Sequence, residues 1–173
     1  MLLAAVLMLT MSFALTGCGS DDSGSSETPA TQAQQSGGFS ADDTTFTYNG
    51  TAVALDGKVA DAVAALGDAD DVKSELSCHG EGEDKTYTYP DFILKTYPKD
   101  GEDRVLEVLI TKAGVPTSKG IEVGSSVDDV TAAYGADHKT IGSRYVYDAG
   151  EGKTLRFVIE GDKVAQIDYY FNV

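Results

Sequence analysis

Two thirteen-residue stretches of the chain carry the same pattern of apolar and polar positions, 68 residues apart. Leu55 to Gly67 (LDGKVADAVAALG) lies over Val123 to Gly135 (VGSSVDDVTAAYG). In each, the spacing i, i+3, i+4, i+7 puts one stripe on a helix face: Val59, Ala62, Val63, Leu66 and Val127, Val130, Thr131, Tyr134. An Asp falls in the first turn of both (Asp61, Asp129), where negative charge favours a helix N-terminus. Both stretches stop at a Gly, the residue best suited to the left-handed position that ends a helix. Ser126 with Asp129 three residues on reads as a capping box.

The period changes from about 3.6 to 2 after each helix. Strands are predicted at about 75–78, 85–89, 92–97 and 104–111, then at about 143–147, 154–160 and 164–171. Leu155, Phe157 and Ile159 alternate with Arg156, Val158 and Glu160, which gives one apolar and one mixed face. Asn49-Gly50, between Phe46–Tyr48 and Thr51–Leu55, is the strongest hairpin signal. Glu160 to Lys163 (EGDK) is a second turn.

The expected fold class is α+β. Two helix-then-antiparallel-meander repeats, 46–114 and 115–173, share one sheet, with the helices packed on one face. Neither half, at about 60 residues, has much core alone. The repeats therefore form one globular domain over 46–173.

The rest of the chain has a different composition. Met1 to Leu15 is an apolar run, and residues 1–17 carry no charge. A run of about 15 residues is too short for a bilayer span and fits a secretory leader. The lack of a basic residue ahead of it is expected to reflect a start upstream of Met1. The run ends in Leu15-Thr16-Gly17-Cys18. This tetrapeptide resembles the bacterial lipobox, which implies a signal peptide over 1–17, cleavage before Cys18, and a Cys18 thiol that takes up diacylglycerol. Residues 18–45 are Ser-, Gly-, Thr-, Gln- and Asp-rich and are expected to be a disordered acidic tether. Its reach would be about 30 Å.

Charge narrows the partners. The 173-residue chain has 13 Lys+Arg against 28 Asp+Glu, a formal net charge of −15. So acidic a chain is unsuited to nucleic acid, whose phosphates need clustered Lys and Arg. Of that charge, −5 lies on the tether and −10 on residues 46–173.

The segment GIEVGSSVDDVTAAYG followed by a meander resembles the helix-and-sheet unit of the β-lactamase inhibitor protein-like fold. The SmpA/OmlA outer-membrane lipoproteins use a related unit. The tandem form, with GEGEDKTYTY in the first copy, resembles lipoproteins of Gram-positive anaerobes. The resemblance covers roughly 46–173 and implies a surface-anchored module whose sheet meets a protein partner. No inhibitory loop carries over residue by residue.

Three groups of residues could carry chemistry. Cys78-His79 is the only Cys–His neighbourhood of 46–173, but adjacent strand residues point to opposite faces, so a nucleophile–base pair is not expected. His138 stands apart, and a semi-buried free thiol is the expectation for Cys78. Two acidic turns, Glu81, Glu83, Asp84 and Asp100, Glu102, Asp103, are weak candidates for a cation, because neither follows the D-x-[DN]-x-[DN]-G pattern. The pairs Tyr87/Tyr89 and Tyr145/Tyr147 fall at matching places. They either line a partner-binding face, as amphipathic anchors do, or cover the core beneath the helices.

No catalytic motif and no cofactor motif is present. The expectation is a non-catalytic lipoprotein, extracytoplasmic and anchored to the cell membrane, that binds a protein or an envelope polymer. The alternative is a binder of a small cationic ligand or metal through the acidic hairpin loops.

Overall fold

The computed structural model describes residues 38–173. The leader, Cys18 and most of the tether lie outside the described residues. No described helix is long and apolar enough to cross a membrane.

The first two strands form a hairpin. Strands β1 (Phe46–Tyr48) and β2 (Thr51–Val53) pair across Asn49-Gly50. Both turn residues have positive φ, 48° and 82°, which matches the twist of a two-residue hairpin. Helix α1 (Val59–Leu66) follows, then β3 (Asp71–Leu76), β4 (Glu83–Thr88), β5 (Ile93–Lys99) and β6 (Glu102–Ile110). Helix α2 (Val127–Tyr134) follows in turn, then β7 (Lys139–Ile141), β8 (Arg144–Gly150), β9 (Lys153–Glu160) and β10 (Lys163–Phe171). The last eight strands form one antiparallel sheet in the order β3-β4-β5-β6-β10-β9-β8-β7.

The α+β expectation is corrected: the fold is mostly β. Strands hold about 46% of the described residues and helices about 15%. The physical reason is length. Each helix is only eight residues, about two turns, ended by a Gly at φ 87° (Gly67, Gly135). The strands reach nine residues in β6 and β10.

The central strands β6 and β10 share local architecture. Lys95 pairs with Glu107 and Thr96 with Val105, so Leu106 bulges. Val164 pairs with Ile159 and Gln166 with Val158, so Ala165 bulges. Beside each bulge the chain leading into a helix joins the sheet. Val105 N–H donates to the Gly57 carbonyl, and Val164 N–H to that of Ser125, both at 2.9 Å.

One face of the sheet is sealed. The row Tyr87, Leu94, Val108, Tyr169, Leu155 and Tyr147 runs across six strands by register. Its four central members and Tyr147 are fully buried in a core shared with Val59, Ala62, Val130 and Tyr134 of the helices and Phe46 and Val53 of the hairpin. The Tyr48 hydroxyl donates to Asp91 at 2.6 Å and ties the hairpin to the β4–β5 loop.

The folded region begins before Phe46, so the tether expected to reach Thr45 ends earlier. Residues Ala41–Thr44 form a 3-10 turn with a Ser40–Asp43 capping box. Phe39 packs on the rings of Tyr134 and Tyr147. Asp43 is buried, with Lys119 at 3.0 Å and the Ser118 hydroxyl donating to it at 2.9 Å. Burial alone would raise the Asp43 pKa, but these partners and Ser40 outweigh it and hold it below the usual value. One apolar ring and a paired carboxylate suffice to order this segment, a signal that composition averages away.

Candidate functional site: the uncovered sheet face

The opposite face of the large sheet carries a different set of side chains. Its register rows are Thr86, Lys95, Glu107, Tyr170, Thr154, Asp148 and Thr88, Ile93, Leu109, Asp168, Arg156, Val146. Ile93, Lys95, Glu107, Leu109, Tyr170 and Arg156 are all only half-buried. Strand alternation places them here: each neighbours a core residue in sequence.

The polar groups of this face are organised. Lys95 Nζ lies 2.6 Å from Glu107 Oε2. The Arg156 guanidinium sits 3.7 Å over the Tyr170 ring. Its Nε donates to Thr154 Oγ1 and its terminal nitrogen to Asn172 Oδ1, both at 3.0 Å. Asp168 is buried and accepts from Gln166 Nε2 at 3.1 Å. Desolvation, with the Glu107 charge adding to it, pushes the Asp168 carboxyl up to about 6, against the opposing pull of Gln166, Arg156 and Arg144. A groove of about 330 Å³ continues the face towards β7, lined in part by Lys139, Arg144, Arg156 and Asn172.

The tyrosines singled out from sequence lie on the sealed face. Tyr89 and Tyr147 are buried. Their hydroxyls donate to the carbonyls of Gly67 (3.2 Å) and Gly135 (2.8 Å), so each satisfies a group at a helix end. Tyr87 and Tyr145 are half-buried against the same core. The matched placing noticed in the sequence is therefore a helix-seating device. One ring on the uncovered face is Tyr170, which the sequence reading did not single out. The alternation of Arg156 between Leu155 and Phe157 was the available signal.

In the second acidic turn, two of the three carboxylates are paired with bases. Lys85 Nζ is 2.7 Å from Asp103 and Lys58 Nζ 2.6 Å from Glu102, which Arg104 also approaches at 3.1 Å. The Lys58 contact, with Arg104 adding to it, keeps the Glu102 carboxyl below its usual value. Asp100 takes the first turn position after β5 with φ 55°. Glu81 is exposed in the β3–β4 loop, and Glu83 and Asp84 open β4. Among the described residues no group of three or more His, Cys, Asp or Glu side chains gathers as metal ligands would.

Cys78 is exposed in the β3–β4 loop, not semi-buried in a strand. His79 next to it approaches Tyr97 on β5, with ring centroids 6.2 Å apart. His138 stacks on Tyr145 at 3.9 Å. Three strands separate β5 from β8, so the two histidines lie in different halves of the sheet. No family model, curated protein or solved structure matches the chain.

Proposed function

We propose that the chain is a non-catalytic binding module, held to the extracytoplasmic side of a cell membrane by lipid on Cys18, that meets a protein or envelope polymer through the uncovered sheet face. The supporting observation is the asymmetry of the sheet. One face is sealed by helices and a hairpin. The other leaves a half-buried aromatic–arginine stack beside half-buried Ile93 and Leu109. Rigid aromatic rings and arginines are the residue types that carry most binding energy at interfaces. The lipobox-like Leu15-Thr16-Gly17-Cys18 ahead of a polar tract supports the anchoring.

The test uses the full chain in solubilised envelope. A partner cross-linked to the wild type should fall at least about tenfold with Tyr170→Ala, since a central anchor is worth 2 kcal/mol or more. It should persist with Asp128→Ala on the exposed side of α2. Equal recovery from both variants would overturn the assignment of the face. Radiolabelled palmitate should mark the chain, and Cys18→Ser should abolish the label.

A further inference from the structure

The sheet ends on one side in β3, and all six residues of that strand are exposed. Val72 and Leu76 are 50% and 88% exposed, the latter the most exposed large apolar side chain among the described residues. An edge strand of this length is a template for another strand unless something blocks it.

The direction of its free backbone groups follows from β4. Lys85 N–H donates to Thr96 Oγ1 on β5 at 2.9 Å, so it points away from β3. Ser74, paired with Lys85, is therefore a position whose N–H and C=O face outward. By alternation the same holds for Val72 and Leu76. Their side chains lie on the Tyr87 face, while Asp71, Lys73 and Glu75 lie on the other.

We propose that β3 pairs with β3 of a second copy of this chain, antiparallel about a twofold axis through Ser74. In this register the outward N–H and C=O groups of Val72, Ser74 and Leu76 meet their counterparts reciprocally. Val72 stands opposite Leu76 twice, and Lys73 opposite Glu75 twice, so apolar meets apolar on one face and opposite charges meet on the other. The neighbouring symmetric registers fail. Centring on Lys73 opposes Lys73 to itself and Asp71 to Glu75, and centring on Glu75 opposes that carboxylate to itself. Centring on Val72 pairs Asp71 with Lys73 but sets Glu75 against Ala69 and Leu76 against Asp68, so the Ser74 register is the one that matches the whole of Val72 to Leu76, as an isologous interface requires. The other end of the sheet, β7, has only three residues, so end-to-end pairing into open filaments is not supported. The inference is independent of what the uncovered face binds.

Sedimentation equilibrium of the full chain in density-matched detergent tests it. The wild type should show a monomer–dimer equilibrium. Lys73→Glu and Glu75→Lys should each weaken the dimer at least about tenfold, because two attractive cross-strand pairs become repulsive. The K73E/E75K double variant should recover it. Mixing the two single variants should produce a heterodimer, since every charged pair is then complementary. Circular dichroism checks that each variant is folded, as the exposed positions lead one to expect. A wild type monomeric up to millimolar concentration overturns the proposal, as does a dimer indifferent to single reversal or a reversal that neither the double variant nor mixing rescues.

Discussion

The two helices arise from closely similar sequence patterns, yet the C-terminal turn of α2 is seated more deeply than that of α1. Val130 and Tyr134 of α2 are fully buried. The two buried residues of α1, Val59 and Ala62, lie towards its N-terminal end, while Val63 and Leu66 remain half-exposed. The strand tyrosine beneath α2 makes the shorter hydrogen bond to its helix end, 2.8 Å against 3.2 Å. The difference comes from outside the repeated pattern. Phe39 and the Ala41–Thr44 turn lie over α2 and its strands, with Phe39 N–H donating to the Tyr134 carbonyl at 3.1 Å. Among the described residues nothing equivalent covers α1, and a groove of about 480 Å³ lies between it and Tyr87. The same helix signature gives unequal burial when, among the described residues, a further layer closes over one copy alone.

Truncation should expose that inequality most strongly. Tyr134→Ala removes a ring in contact with Phe39, Tyr147 and Phe157 and is expected to cost about 3–5 kcal/mol. Leu66→Ala, at the matching place of α1, should cost about 1 kcal/mol, because its side chain is only partly removed from water. Urea denaturation of the two variants measures both. Equal losses would mean that α1 is packed as tightly as α2.

A second inequality concerns the two central strands. Counting from the bulges, Leu109 in β6 and Asp168 in β10 hold matching positions, and they pair with each other. The buried Asp168 carboxyl is raised to about 6 by desolvation first and the Glu107 charge second. An aspartate in the unfolded chain titrates near 4. Between these values the folded state holds a proton that the unfolded state has released. This contribution to stability therefore rises as pH falls through 6 towards 4, by about 3 kcal/mol in total. Asp168→Asn should flatten the stability profile between pH 7 and 5. Arg156, Arg144 and Gln166 face the same carboxyl and act against the rise. A wild-type profile already flat in that window would show that they win.

How much was legible follows from where each signal sits. The helix stripes, their terminal glycines and the Asn49-Gly50 hairpin depend on neighbours in sequence, and the structure places all of them within a residue or two of expectation. Strand extents were less legible. β3 starts at Asp71 and β7 went unread, because an exposed edge strand needs no apolar alternation. The balance of helix to strand was misjudged for the same reason. The tyrosine pairs were illegible for a different reason. Tyr87, Tyr89, Tyr145 and Tyr147 fit a buried or an exposed face equally well until register showed which residues they stand beside. Lys85 and Lys58 reach Asp103 and Glu102 of the second acidic turn from 18 and 44 residues away, distances no local motif reports.

The smallest expected effect is the most direct test of the helix comparison. Ser126 caps α2: its hydroxyl oxygen accepts from Asp129 N–H at 3.1 Å, and the Asp129 carboxylate accepts from Ser126 N–H at 3.0 Å. At the matching place α1 has Lys58, which makes no capping bond, although Asp61 stands ready three residues on. Ser126→Ala should therefore cost about 1 kcal/mol. Lys58→Ser should install the missing box. Its gain is offset in part by loss of the Lys58–Glu102 pair, whose members are about half exposed and which is worth less than about 1 kcal/mol. The net stabilisation is expected to be a few tenths of a kcal/mol, read as a small rise in Tm. If Lys58→Ser instead destabilises, the Lys58–Glu102 contact outweighs a capping bond in holding the first turn of α1. The first turn of α1 would then be held by charge where the first turn of α2 is held by its capping box.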